Sequence, residues 1–154
     1  MTTPNAVLNA SLASAARRST PRFGGVPLRL SRLTNPLTLR LAGKHWNPIF
    51  AVVVHTGRRS GRSYRTTVAA RRIEGGFIIS LAFGPQVDWY RNPMAAGSAT
   101  VRWRGTDYAV TDLEVIDAEI GRAAFHPVQR LLVRLAGISG YVRLHDVADV
   151  AAKR

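Results

Sequence analysis

Twelve consecutive residues, Thr56-Gly57-Arg58-Arg59-Ser60-Gly61-Arg62-Ser63-Tyr64-Arg65-Thr66-Thr67, hold four arginines, three threonines, two serines and two glycines. Two apolar runs that read as strands flank them. A turn of this content is equipped to receive an anion. Glycine lets the backbone take positive φ and approach a ligand closely, and successive N–H groups of a turn can form a concave nest. Arginine adds a planar fork that matches phosphate or carboxylate in bidentate fashion. The hydroxyls add neutral donors. The bland alternative is a solvated basic hairpin turn, and the clustering of all three donor types in one short connection weighs against it.

A second stretch, Phe83-Gly84-Pro85-Gln86-Val87-Asp88-Trp89-Tyr90-Arg91-Asn92, reads as a strand leading through a Gly-Pro loop into a helix. A helix N-terminus also presents N–H groups to an anion. As an N-cap, Asp88 would occupy those donors itself. Trp89 and Tyr90 read either as an aromatic wall or as core.

Other chemistries find little support. His45, His55, His126 and His145 are scattered, with no HExxH spacing and no carboxylate cluster, so no metal site is expected. Each lone histidine reads first as a surface or satisfied core residue. No serine sits in a GxSxG elbow, and the absence of cysteine removes disulfides, thiol nucleophiles and thiolate metal ligands.

The charge distribution points the same way as the turn. All thirteen basic residues before Glu74, the first acid, account for the net +13, since nine basic and nine acidic residues balance from Glu74 onward. Such a half-chain implies an anionic partner: the phosphates of a cofactor, nucleic acid or a membrane surface. No recognised nucleic-acid motif accompanies it, so nucleic acid ranks low. No apolar run reaches the ~20 residues of a membrane span, and the start of the chain lacks the pattern of a secretory signal.

The elements that would position these residues follow from periodicity. Residues 1–25 are Ala/Ser/Thr-rich and read as a poorly ordered tail, leaving one domain over residues 26–154. Leu30, Leu33, Leu37 and Leu41 recur at helical spacing among Arg29, Arg32 and Arg40. That segment reads either as a cover for the core or as a contact with an anionic membrane. Strands are expected over residues 50–55, 64–72 and 77–83, the last two joined by Glu74-Gly75-Gly76. A helix from Asp88 is stopped by Gly97. A second hairpin turns around Gly105-Thr106 between residues 100–103 and 108–115. Residues 118–135 are mainly helical with a break near Pro127, and residues 141–144 make a last strand. Six strands with helices between and after the hairpins predict an α+β fold built on a small antiparallel barrel.

With those residues in view, the chain resembles the deazaflavin-dependent nitroreductase family. The resemblance rests on the TGRxSG…RT pattern within Val53-Val54-His55 and the twelve residues that follow. It rests also on Phe83-Gly84-Pro85-Gln86-Val87-Asp88-Trp89-Tyr90-Arg91-Asn92-Pro93-Met94-Ala95-Ala96-Gly97, followed by a Val-Arg-Trp-Arg-Gly hairpin. The resemblance implies a split β-barrel, as in flavin-mononucleotide-binding proteins. It implies coenzyme F-420, whose tail carries a phosphodiester and several glutamates, with flavin mononucleotide on the same fold as the alternative. The implied reaction is hydride transfer from the reduced deazaflavin to a quinone, enone or nitro compound. The implied tail cradle is Arg58, Arg59, Ser60, Gly61, Arg65, Thr66 and Thr67. Phe83, Gly84, Pro85, Asp88 and Trp89 would lie near the ring or phosphate. Tyr141 and His126 are the candidate proton donors from the more variable C-terminal part. A cytoplasmic protein, peripheral to the inner membrane face through residues 29–40, would suit a lipid-soluble quinone, and an edge strand would permit a homodimer.

Overall fold

The computed structural model of the chain describes Arg40, Ala42 and residues 44–152. The expected tail over residues 1–25, and the amphipathic segment over 29–40 apart from Arg40, lie outside the described residues. Six strands form a closed antiparallel barrel. They are β1 (Phe50–Thr56), β2 (Ser63–Ile73), β3 (Gly76–Ser80), β4 (Ser98–Trp103), β5 (Thr106–Ile116) and β6 (Tyr141–Asp146). Around the barrel their order is β1-β2-β3-β6-β5-β4, and β4 closes it against β1. Helix α1 (Asp88–Ala96) follows β3. Helices α2 (Ala118–Ala124) and α3 (Pro127–Leu135) join β5 to β6, and α4 (Val147–Ala152) ends the described chain. This is the expected α+β split barrel.

Strand alternation sorts the side chains into two cores. Ala51 and Val53 of β1, Val68 and Ala70 of β2, and Phe77 and Ile79 of β3 point into the barrel with Val101, Val110, Val142 and Leu144. On the outside, Ile78, Phe125, Val133, Ile138 and Tyr141 form a smaller core beneath α2 and α3. Gly76 lets β3 and β6 close the barrel, because a Cβ there would collide with the carbonyl of Leu144. Arg72 and Asp146 tie β2 to β6 with two hydrogen bonds of 2.8 and 2.6 Å.

Several expectations shift in detail. The second hairpin turns on Arg104-Gly105, both at positive φ (48° and 81°), which is the backbone twist a two-residue hairpin loop needs. Strand β3 stops at Ser80, short of Phe83. The helical stretch over 118–135 breaks at Phe125, which is buried, and restarts with Pro127 at its first position. Strand β6 runs on to Asp146, and the short helix α4 after it has no counterpart in the sequence expectations.

Candidate functional site

The basic turn closes on itself between β1 and β2. Gly57 N–H donates to the carbonyl of Arg62 and Gly61 N–H to the carbonyl of Gly57, both at 2.8 Å. Gly61 has φ 66°, which glycine tolerates without strain. At Gly57 a Cβ would lie 2.5 Å from Ser60 Oγ and 2.6 Å from the Tyr64 ring, so only glycine leaves room for the hydroxyl pair packed there. Ser60 Oγ lies 3.0 Å from the Tyr64 hydroxyl.

Helix α1 holds the turn from one side. Its start is set by Val87, with no side chain capping the helix. Asp88 is therefore the first helical residue and not the cap, a correction to its expected role. Its carboxylate instead accepts from the Arg58 guanidinium at 2.8 Å. That hydrogen bond first, then the charge of Arg58, holds the Asp88 carboxyl below its ordinary value. Asn92, one turn further along α1, is 2% exposed. Its Oδ1 accepts from Arg58 twice, from Nη1 at 2.7 Å and from the backbone N–H at 3.2 Å. Its Nδ2 lies 2.9 Å from His55 Nδ1. His55 Nε2 lies 3.2 Å from Thr66 Oγ1, and its ring stacks on Tyr64 at 5.9 Å. Burial pushes the His55 imidazole below its ordinary value, partly opposed by the negative charge of Asp88.

The two arginines of the motif thus divide. Arg58 is engaged by Asp88 and Asn92, with its side chain 23% exposed. The Arg59 and Arg62 side chains are exposed and have no hydrogen-bond or ion-pair partner among the described residues. Strand geometry divides the next positions. Thr66 shares the inner face of β2 with Val68 and Ala70, at the barrel end where His55 sits. Arg65 and Thr67 lie on the outer face, and the charge of Arg65 bears on Asp107. The expected cradle is therefore brought together at Arg58, Arg59, Ser60, Gly61 and Thr66, and parted from Arg65 and Thr67.

In the second motif, Gly84 is buried with φ 78°, and its N–H donates to the Leu81 carbonyl at 3.1 Å. Phe83 packs against the barrel interior, Pro85 is exposed, and Trp89 is a core residue at 5% exposure. Trp89 lies in the packed interior, edge-on to Tyr90. The expected proton donors lie elsewhere. Tyr141 is fully buried against Phe125 in the outer core, its hydroxyl 3.5 Å from the Ile138 carbonyl. That burial leaves the Tyr141 side chain without a solvent-facing surface, which counts against its expected role as a proton donor. His126 is exposed at the start of α3. Sequence reasoning missed Asn92, Tyr64 and the part His55 plays. The signal was present, since all three belong to the two motifs, but neither motif shows that β1 and α1 meet. Among the described residues no cluster of His, Asp and Glu could hold a metal ion, and no helix is long and apolar enough to cross a membrane.

A model of the F420H2-dependent quinone reductase family matches residues 37–132. No curated protein matches the chain. Among solved structures, one described as "Structure of F420-H2 Dependent Reductase (FDR-A)" superposes with a TM-score of 0.50 at 13% identity, covering 63% of this chain and 94% of that one. Another, described as a "domain-swapped dimer", has a TM-score of 0.46 at 12% identity, covering 92% of this chain and 99% of that one. At this identity the first likeness concerns the fold alone, and the second adds nothing to it.

Proposed function

The chain belongs to the F420H2-dependent quinone reductase family, and we propose that the turn over residues 57–62 is where it grips its cofactor. The protein is a reductase that uses reduced coenzyme F-420 to reduce quinone-type acceptors. The observation that carries the assignment of the turn is the division of its arginines: Arg58 braces the turn, while Arg59 and Arg62 stand exposed and unpaired, among the described residues, beside Ser60. An acidic, phosphate-bearing tail needs such open forks. The uncapped start of α1 adds N–H donors of the right polarity.

The residues present fit the group, because the exposed forks of Arg59 and Arg62 and the Ser60 hydroxyl gather on one turn. When bound, the deazaflavin supplies the hydride. The chain supplies grip, orientation and a dry wall, which is most of what hydride transfer asks of a protein. Arg59, Arg62, Ser60 and Thr66 hold the anionic tail. Phe83, Gly84 and Pro85, leading into Asp88, border the ring or phosphate. Of the two expected proton donors, His126 is the one exposed to solvent. For the acceptor, a lipid-soluble quinone, enone or nitro compound fits the same chemistry. Contact of residues 29–40 with an anionic membrane would bring a lipid-soluble acceptor near; the support is the alternation of leucine and arginine there.

The test is titration of the purified protein with oxidised and reduced coenzyme F-420, and in parallel with flavin mononucleotide. Saturable binding of the deazaflavin that weakens in Arg59→Ala supports the assignment. Full affinity in Arg59→Ala, or preference for flavin mononucleotide, overturns it. Pelleting with anionic vesicles, compared between the full chain and a chain beginning at Lys44, tests the membrane contact.

A further inference from the structure

The hydrogen bonds around Asn92 have only one chemically sensible direction. Asn92 Oδ1 faces two N–H donors of Arg58, from Nη1 at 2.7 Å and from the backbone at 3.2 Å. Arginine has no acceptor, so the amide cannot be turned the other way. Asn92 Nδ2 must then donate to His55 Nδ1, 2.9 Å away. That nitrogen must be unprotonated, so a neutral His55 carries its proton on Nε2. His55 Nε2–H then donates to Thr66 Oγ1 at 3.2 Å. The hydroxyl hydrogen of Thr66 is left over, and it has no acceptor among the described residues.

We propose that Asn92 and His55 are positioning residues of the anion site: by fixing every donor along the line Arg58–Asn92–His55–Thr66, they turn the Thr66 hydroxyl into an obligate donor to a bound phosphate or carboxylate. The proposal rests on the reading that the turn receives the acidic tail of coenzyme F-420. It gives Arg58 a second task, since the arginine that braces the turn against α1 also sets the polarity of the Thr66 hydroxyl. The groups around His55 are consistent with a neutral ring. Tyr64 stacks on it, Asn92 and Thr66 bond its two nitrogens, and burial outweighs the pull of Asp88. Hydrogen bonds in such a line reinforce one another in a partly dry site.

Two measurements test this. The first reads the His55 ring nitrogens by 15N NMR in the full chain without cofactor. The expected signature is a protonated Nε2 and a bare Nδ1. A proton on Nδ1, or on both, overturns the proposal. The second is the dissociation constant for coenzyme F-420 in Thr66→Val, Thr66→Ser, Asn92→Asp and the Asn92→Asp/Thr66→Val double variant. Loss of the hydroxyl is expected to weaken binding roughly tenfold, and serine to restore it. The carboxylate introduced by Asn92→Asp would still accept from Arg58 but could no longer donate, so His55 would carry its proton on Nδ1 and take the Thr66 hydrogen for itself. Asn92→Asp is thus expected to weaken binding and to move the 15N signature. Adding Thr66→Val to it should cost less than about twofold more. Effects that multiply overturn the relay. Failure of the wild-type chain to bind the coenzyme, with the expected 15N signature present, overturns the cofactor reading and the donor role together, but leaves the polarity of the line standing. If Asn92→Asp does not fold, the wild-type spectrum and the Thr66 pair still decide the matter.

Discussion

Arg58 and Arg59 are neighbours with the same side chain, yet the structure gives them different work. Arg58 makes charge-assisted bonds to Asp88 and Asn92 that join the turn to α1. Arg58→Ala should therefore lower the unfolding free energy by about 1–2 kcal/mol, discounted because Asp88 is largely exposed. Arg59 is exposed and has no hydrogen-bond or ion-pair partner among the described residues, so Arg59→Ala should leave stability within about 0.5 kcal/mol of the parent while weakening coenzyme F-420 about tenfold or more. Urea unfolding and ligand titration on the two variants separate these outcomes, and equal effects on both readouts would contradict the division of labour. His55 makes a second prediction at this scale. Its folded-state value lies below 6.5 because burial disfavours the imidazolium. The stability it contributes is complete above about pH 6.5, its unfolded value, and is lost as pH falls from there through the lower folded value. A stability–pH profile of the parent should decline across that window. His55→Gln, which cannot titrate, should flatten it.

At the scale of elements, the hairpins were legible and the helices only in part. Glu74-Gly75-Gly76 and Gly105 announce tight turns because positive φ is needed there, and β-branched runs on either side mark the strands. Helix α3 runs against its own periodicity. Val128, Leu131, Leu132 and Leu135 form its apolar stripe and are exposed, while Gln129 is buried. The reason is polar: the Gln129 amide donates to the carbonyls of Ile49 and Ala70, tying α3 to the chain entering β1 and to β2. No periodicity argument ranks a glutamine above four aliphatic residues for burial. Asp88 is a similar case, since a carboxylate at a helix start reads as a cap until the arginine thirty positions earlier is placed beside it. The pairing of distant elements is what a single sequence withholds, and Asn92 was missed for the same reason. Gly76 is the element-level residue with the sharpest consequence. A methyl group there meets the backbone of β6, which cannot give way as a side chain can. Gly76→Ala should cost about 3 kcal/mol or more, seen as a lower thermal midpoint and loss of near-ultraviolet circular dichroism. A midpoint unchanged within a degree or two would mean that β3 and β6 are not closed as described.

At the scale of the whole molecule, the arginines among the described residues are used in two ways. Arg72 pairs with Asp146 and lies over the rings of Phe77 and Tyr108 at 4.6 and 4.4 Å, closing the barrel. Arg102 pairs with Asp107, Arg104 donates to the His45 carbonyl, and Arg130 to the carbonyls of Ala123 and Phe125. These are internal uses, and they reduce the cation density available to a long polyanion. Among the described residues, Arg59 and Arg62 stand exposed and without a hydrogen-bond or ion-pair partner on one turn at one end of the barrel. A short acidic tail matches so compact a patch, whereas a nucleic acid would need cations spread over a groove or face. The distinction has a measurable form. Exposed charges are screened over about 8 Å at physiological ionic strength, so coenzyme F-420 affinity should fall between about 50 and 500 mM salt. With only those two arginines engaged, the slope of log affinity against log salt should stay shallow, on the order of two. Duplex DNA, whose affinity falls by close to one power of salt per phosphate contacted, should bind weakly and lose its affinity altogether over the same range. Coenzyme binding indifferent to salt would mean that the tail is not held by these arginines, and a steep slope with tight DNA binding would move the basic half of the chain to a different partner.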